Sequence, residues 1–511
     1  MKESVEKYLA KLLAFLLIIT NLYKFRLINA GYMTEPDERR YMMAWSALKH
    51  LMQGDIEGFS LAVFSAQARP GEILIKTIPA TLQFITAKIF HLDFFETQNF
   101  YIVFVFNFVI YGLTLWILYK IFVLFFKNKE LALFGVLSYS LLINSYAYLR
   151  HIYPYDTALL LFLLVLYKIT KRYQNRQAFD SKQAFALGVL SFFAFLVYPA
   201  YNLAFFSVFL VFALVNWSIL RQNFVQYSKL IVSYVLGSII LLLVFETFSR
   251  LGNSSYIHNA LTLSGTVIQG DFYDTPTFIF RYLIEVEGII GIILILSMLI
   301  FTLKIAKLFK SKSSTDKLLI IVLFSFFITY VFYVSMGYFA HKATMYGRIL
   351  HQFFPIIWLM FLFVIKDFRK NFKQYFMALS ALIFSVFFIF QMQDYLSIAY
   401  PRDVYWAYLR NYPRTQIIEK TEYDNSWSNL PERIFLSPRT VQKDSIIAVN
   451  TFYFYPLNDK EKYHKYQAPK NKKIRFDKPH FLNYKSYQFE GYGIEERKNI
   501  RNYQFRIRLY E

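Results

Sequence analysis

About eleven apolar runs, each near the length needed to cross a bilayer, alternate with short basic loops over residues 1–390, and this alternation constrains the fold most. The runs are Leu9–Leu27, Tyr101–Tyr119, Leu131–Tyr148, Thr157–Ile169, Ala184–Tyr198, Leu203–Leu220, Leu230–Phe248, Gly288–Phe301, Leu318–Met336, Ile349–Ile365 and Tyr375–Phe390. A chain of 511 residues that is 56% hydrophobic and 20% aromatic is too apolar for a soluble protein of this size. The expectation is a polytopic α-helical membrane protein. Its net charge of +22 does not point to nucleic acid, because Lys and Arg sit in short loops between apolar runs, where membrane orientation places them. The absence of Cys removes disulfides, thiol catalysis and thiolate metal sites. The first run, Tyr8 to Ala30, is too long for a signal-peptide core and reads as a retained span.

The segment Glu72–Phe90 is apolar on average but carries Glu72, Lys76, Pro79, Gln83 and Lys88. If it does not cross, and the N-terminus is cytoplasmic, every basic short loop falls inside; if it does, the bias inverts from Lys120 onward. It therefore reads as an interfacial or re-entrant helix on the outer face, within an external loop over 31–98. The same topology puts Arg150–Asp156, Ser249–Glu287, Gly337–Arg348 and the tail outside. The tail, 391–511, has turn signals and alternating runs at Ser445–Tyr453 and Asn502–Leu509, and reads as a small extracytoplasmic α/β domain.

Chemistry gathers on that outer face. Thr34-Glu35-Pro36-Asp37-Glu38-Arg39-Arg40-Tyr41 places three carboxylates just beyond the first span, where orientation does not call for acids. Asp37 and Glu38 are thus candidates for a general base or a metal ligand. Arg150-His151-Ile152-Tyr153-Pro154-Tyr155-Asp156 delivers a second acid to the same surface. A plain alternative for Asp156 is a carboxylate at a helix start, favoured by free amides and the dipole. Arg69, before Pro70-Gly71, could hold a phosphate or simply meet lipid headgroups. Lys342 and Arg348 add cations at the outer mouth of a late span. Of the histidines at predicted outer boundaries (His151, His258, His341, His351), none has the spacing of a helical metal pair, and only His151, five residues before Asp156, invites a metal or acceptor role.

Acids that accept a proton and cations that neutralise a phosphate suit group transfer from a lipid phosphate. The ordered series Asp37-Glu38, Arg69-Pro70, Arg150–Asp156 and Arg348–Pro355 resembles the C-type (GT-C) glycosyltransferases, the group of the protein O-mannosyltransferases and lipid A aminoarabinose transferases. The resemblance spans roughly the first 390 residues. It implies a polyprenyl-phosphate-linked sugar donor lying in the bilayer, a glycan, lipid or protein acceptor presented from outside, inversion at the anomeric carbon, and a bacterial inner (plasma) membrane enzyme facing the periplasm. Within it Asp37 matches the catalytic acid and Glu38 its neighbour. Asp156 matches the second-loop acid, which in some relatives helps hold a divalent metal ion, so such an ion stays open as a cofactor. Arg69 and Arg348, with Lys342, match donor phosphate-binding positions, and His151, Tyr153 and Tyr155 are candidate acceptor or metal contacts. Two competing readings remain open: a transporter or flippase of lipid-linked sugars, which calls for internal symmetry, and a lipid-linked glycan polymerase or ligase relying on Arg and His in a large late loop, where 249–287 offers only Arg250, His258 and Arg281.

Overall fold

The computed structural model describes residues 2–26, 40–64, 69–91, 101–147, 149, 152–269, 275–343, 347–396, 417–421, 446–450, 467, 470–481 and 504–511. The chain begins with α1 (Lys2–Arg26), followed by α2 (Arg40–Met52), α3 (Ile56–Phe64) and α4 (Pro70–Ile89). Next come α5 (Tyr101–Phe126), α6 (Lys129–Ser140), α7 (Ile143–Ala147), α8 (Tyr155–Gln174) and α9 (Ser181–Val197). A 3-10 turn, Pro199–Tyr201, leads into α10 (Asn202–Ile219), α11 (Phe224–Arg250), α12 (Tyr256–Gln269) and α13 (Phe278–Glu285). The last helices are α14 (Gly288–Phe309), α15 (Ser314–Tyr338), α16 (Gly347–Leu350), α17 (Phe354–Lys366) and α18 (Lys370–Leu396).

Seven of the described segments are helical, long and apolar enough to cross a membrane: Tyr8–Arg26, Tyr101–Phe126, Pro199–Ile219, Phe224–Arg250, Gly288–Phe309, Ser314–Tyr338 and Lys370–Met392. Large apolar side chains stand exposed along them, including Leu113 and Trp116 on α5, Leu236, Ile240 and Leu243 on α11, and Leu296, Leu299 and Leu303 on α14. In water such surface would be costly; against lipid it is not. The chain is a helical integral membrane protein.

Two runs expected as continuous spans are interrupted. The run Leu131–Tyr148 breaks after Ser140 into α6 and the short α7, and Ile349–Ile365 breaks at 351–353 into α16 and α17. At the first break the amides of Ile143 and Asn144, which have no partner in the preceding turn, donate to Glu287 Oε2 and Oε1, both at 2.8 Å. The carboxylate that allows the break lies far along the chain.

The basic loops gather at one end. Lys304 reaches Asp367 at 3.2 Å and Lys366 reaches Asp316 at 3.1 Å, joining the α14–α15 and α17–α18 turns. Gln174 at the end of α8 donates to the Leu124 carbonyl near the end of α5. Asn128 and Asp180 cap α6 and α9 here, Asp180 in a capping box with Gln183. Helices α8, α14 and α17 run from this end to the opposite one, where Asp156, Glu287 and the His351 break lie. Helix α4 turns Glu72, Lys76 and Gln83 inward and leaves Ile78, Leu82, Ile85 and Ile89 exposed.

In the tail, β1 (Ile417–Thr421), β2 (Ile446–Asn450), β3 (Ile474–Phe481) and β4 (Gln504–Tyr510) form one sheet in the order β1-β2-β4-β3. Strands β1 and β2 are parallel, and β4 pairs antiparallel with both β2 and β3. The alternating runs at 445–453 and 502–509 supply β2 and β4.

Candidate functional site

The two helix breaks face each other, and the side chains between them form one buried polar network. Asn144, just after the first break, has its amide nitrogen 2.8 Å from the Gly347 carbonyl and 2.9 Å from the Tyr282 hydroxyl. Its Oδ1 stands 2.7 Å from Nδ1 of His351, in the second break. On the other side of the imidazole, Nε2 lies 3.3 Å from Oδ1 of Asp156. Asn144 and His351 are fully buried and Asp156 is 7% exposed. Asp156 sits in the first turn of α8, where the helix dipole favours its charge, and it makes no capping bond.

Lys24, near the end of α1, enters from the side. Its ammonium donates to the Tyr111 hydroxyl at 2.9 Å and to the Ser140 carbonyl, lies 5.0 Å from the Phe388 ring centre, and interacts electrostatically with Asp156 and Glu287. Burial pushes the Glu287 carboxyl up to about 7, against the two backbone amides and the Lys24 charge that favour its ionised form. The hydroxyls of Tyr139 and Tyr201 are buried without a hydrogen-bond partner among the described residues, and both interact with Asp156.

A cationic cluster adjoins this network. Arg69 precedes α4, 3.7 Å from Glu72, and its guanidinium lies 4.8 Å from the Tyr198 ring centre. The approach requires Gly71, where a side chain would come within 2.7 Å of the Val197 nitrogen at the end of α9. Lys76 pairs with Glu72 and donates to the Ile152 carbonyl at 2.6 Å, which fixes α4 against the segment leading to Asp156. Burial, foremost, and repulsion from Arg40 and Arg69 hold the Lys76 ammonium below its usual range, and Glu72 opposes them. Arg69 and Lys76 thus share one carboxylate, with Arg40 acting on Lys76.

Of the residues singled out from sequence, the structure brings Arg69, Tyr153, Tyr155, Asp156 and Arg348 together. Tyr155 links them: its ring stacks on Tyr153 at 4.9 Å and packs on Tyr198 at 4.6 Å, and its hydroxyl accepts from Arg348 at 3.3 Å. Both tyrosines are buried. Lys342 lies just past α15, its backbone amide bonded to the Met336 carbonyl at 2.9 Å. Asp37, Glu38 and His151 lie outside the described residues.

Sequence reasoning passed over Lys24, Asn144 and Glu287 and gave His351 no role. Lys24 carried a usable signal, since a charge inside an apolar run is a functional hint by default. Asn144 and His351 carried none, because each gains its meaning from the other.

The described residues do not form a divalent-metal set. No three of His, Asp and Glu cluster among them. Asp156 has a single imidazole beside it, a cation interacting with it in Lys24, and a neighbour, Tyr155, whose oxygen is taken by a guanidinium.

A cleft of about 410 Å³ opens between α13, α14, α15 and α17. Its walls are almost wholly apolar, among them Met298, Phe301, Phe327 and Met360. The inner part reaches Leu308 and Phe309, close to the basic end, and another part meets Ile279, Tyr330 and Phe353, next to Gln352 and His351. No protein-family model matches the chain, and no curated protein matches it.

Proposed function

We propose that the chain is a membrane glycosyltransferase of the C type, with about eleven crossings, in a bacterial inner membrane. It moves a sugar from a polyprenyl-phosphate donor to a glycan, lipid or protein acceptor at the periplasmic face. Asp37 is the base, Arg69 and Arg348, aided by Lys342, hold the donor phosphate, and the tail over 391–511 lies outside with the site.

One observation carries this reading: a buried, charged network at the end opposite the basic loops adjoins an apolar cleft of lipid-chain character. Lys and Arg loops mark the cytoplasmic side, so the network belongs to the outer one. Buried acids and guanidinium groups within a helical membrane protein are costly to desolvate and by default mark a functional site. A lipid phosphate has the matching halves, a chain for the cleft and an anion for Arg348 and Arg69. In the transfer the departing phosphate gains charge, which guanidinium groups stabilise, and the attacking hydroxyl loses a proton to a carboxylate.

The reading is tested with purified protein in lipid and a labelled polyprenyl-phosphate sugar. Asp37→Asn and Asp156→Asn should each lower transfer by about 100-fold or more at unchanged expression. Full activity in Asp37→Asn would remove the proposed base; full activity in both would remove the site.

A further inference from the structure

We infer that Lys24 is a built-in cation: its ammonium takes the place that a bound monovalent cation would hold at the α6–α7 break, with the Ser140 carbonyl and the Tyr111 hydroxyl as its ligands. It does so whatever group the chain transfers, and in this the site goes beyond the transferase reading.

The break itself creates the need. An interrupted membrane helix leaves carbonyls at its C-terminal end and amides at the start of the next piece, and out of water both must find partners. The amides of Ile143 and Asn144 are answered by Glu287. The carbonyl end is answered by Lys24, which donates to the Ser140 carbonyl alongside the Ser145 hydroxyl at 3.1 Å. Helix α6 thus ends on a positive charge, as its dipole favours. In the discontinuous helices of transporters such a carbonyl end holds a coupling ion. Here the cation is tethered to α1.

The ammonium sits in surroundings that suit a cation. It donates to the Tyr111 hydroxyl at 2.9 Å and lies 5.2 Å from the Tyr111 ring centre and 5.0 Å from that of Phe388. The carboxylates of Asp156 and Glu287 both attract it. An ammonium has three hydrogens and no acceptor, which matches a carbonyl, a hydroxyl oxygen and two acids. Lys24 and Ser140 are fully buried, so the charge is held by these partners and not by water. Removing it would leave Asp156 and Glu287 without the ammonium they share, a costly state away from solvent.

The test separates charge from volume. Lys24→Ala deletes the part of the side chain that free propylammonium can replace. In full-length protein in detergent this variant should lose about 5 °C or more of thermal midpoint. Propylammonium chloride should restore most of the loss saturably, whereas choline chloride at the same ionic strength and 1-propanol at the same concentration should not. Lys24→Met, which fills the space without charge, should stay low. Equal rescue by 1-propanol, rescue by nothing, or a Lys24→Met midpoint equal to wild type overturns the built-in cation. Where Lys24→Ala yields no folded protein, wild type with 15N-labelled lysine in lipid nanodiscs decides. The Nζ signal lost in Lys24→Arg should be that of a charged ammonium at neutral pH and should move in Glu287→Gln; a neutral amine, or a signal indifferent to Glu287→Gln, overturns the inference. Wild-type protein that transfers no sugar defeats the transferase reading alone, because none of these signals needs substrate.

Discussion

Glu287 shows what a single buried side chain contributes here. Both of its oxygens accept backbone amides from the α6–α7 break, so the same carboxylate that lets the chain bend also fixes Asn144. Burial raises its folded pKa from an ordinary 4.5 to about 7. Between those values the folded protein keeps a proton that the unfolded chain has released, so stability must fall as pH rises through that window and level off above it. The thermal midpoint in detergent should therefore drop from pH 5 to pH 7.5, by an amount equivalent to on the order of 1–3 kcal/mol. Glu287→Gln should remove most of this slope, whatever it does to the midpoint itself. An equal slope in the variant would mean another group is responsible. Arg69 makes the complementary point for cations: its guanidinium reaches the Tyr198 ring only because Gly71, two residues away, lets α4 come close to the end of α9.

At the scale of elements, close helix contact and helix interruption do separate work. Helices α9 and α11 approach so closely that a side chain at Gly188 would collide with the Tyr234 carbonyl, and one at Gly237 with the Phe185 carbonyl. Gly188→Val should cost about 1–3 kcal/mol by forcing the two apart. Gly112→Ala on α5, where nothing lies within 4 Å, should leave the thermal midpoint unchanged or raise it. Equal midpoints for the two variants would contradict the packing described. Much of the element order was legible in sequence, because apolar runs and caps such as Asp180 with Gln183 are local signals. The breaks were not. Leu141-Leu142 contains neither Gly nor Pro, and the first break is capped by Glu287, a distant residue that no local pattern connects to it, while at the second Pro355 marks only where α17 starts. For the same reason Asp156, Arg69 and Arg348 could be picked out from the outer loops, while Asn144 and His351 became meaningful only once the two breaks were seen to meet.

Across the described helices, charge and apolar surface are divided along the helix axes. Basic turns collect at one end, the Asp156 network at the other, and exposed apolar side chains cover the helices between. The cleft between α13, α14, α15 and α17 runs from Leu308 and Phe309 to Phe353, two residues along the chain from His351. If the proposed donor is right, its prenyl chain lies in this cleft with the phosphate towards Arg348. The most direct measurement is photo-crosslinking of the purified protein with a diazirine-bearing polyprenyl phosphate, followed by peptide mapping. Label concentrated on α14, α15 and α17, displaced by unlabelled polyprenyl phosphate and not by an equal excess of phosphatidylglycerol, is the predicted result. Label spread evenly over lipid-facing helices such as α11, or displaced equally by both lipids, would contradict it.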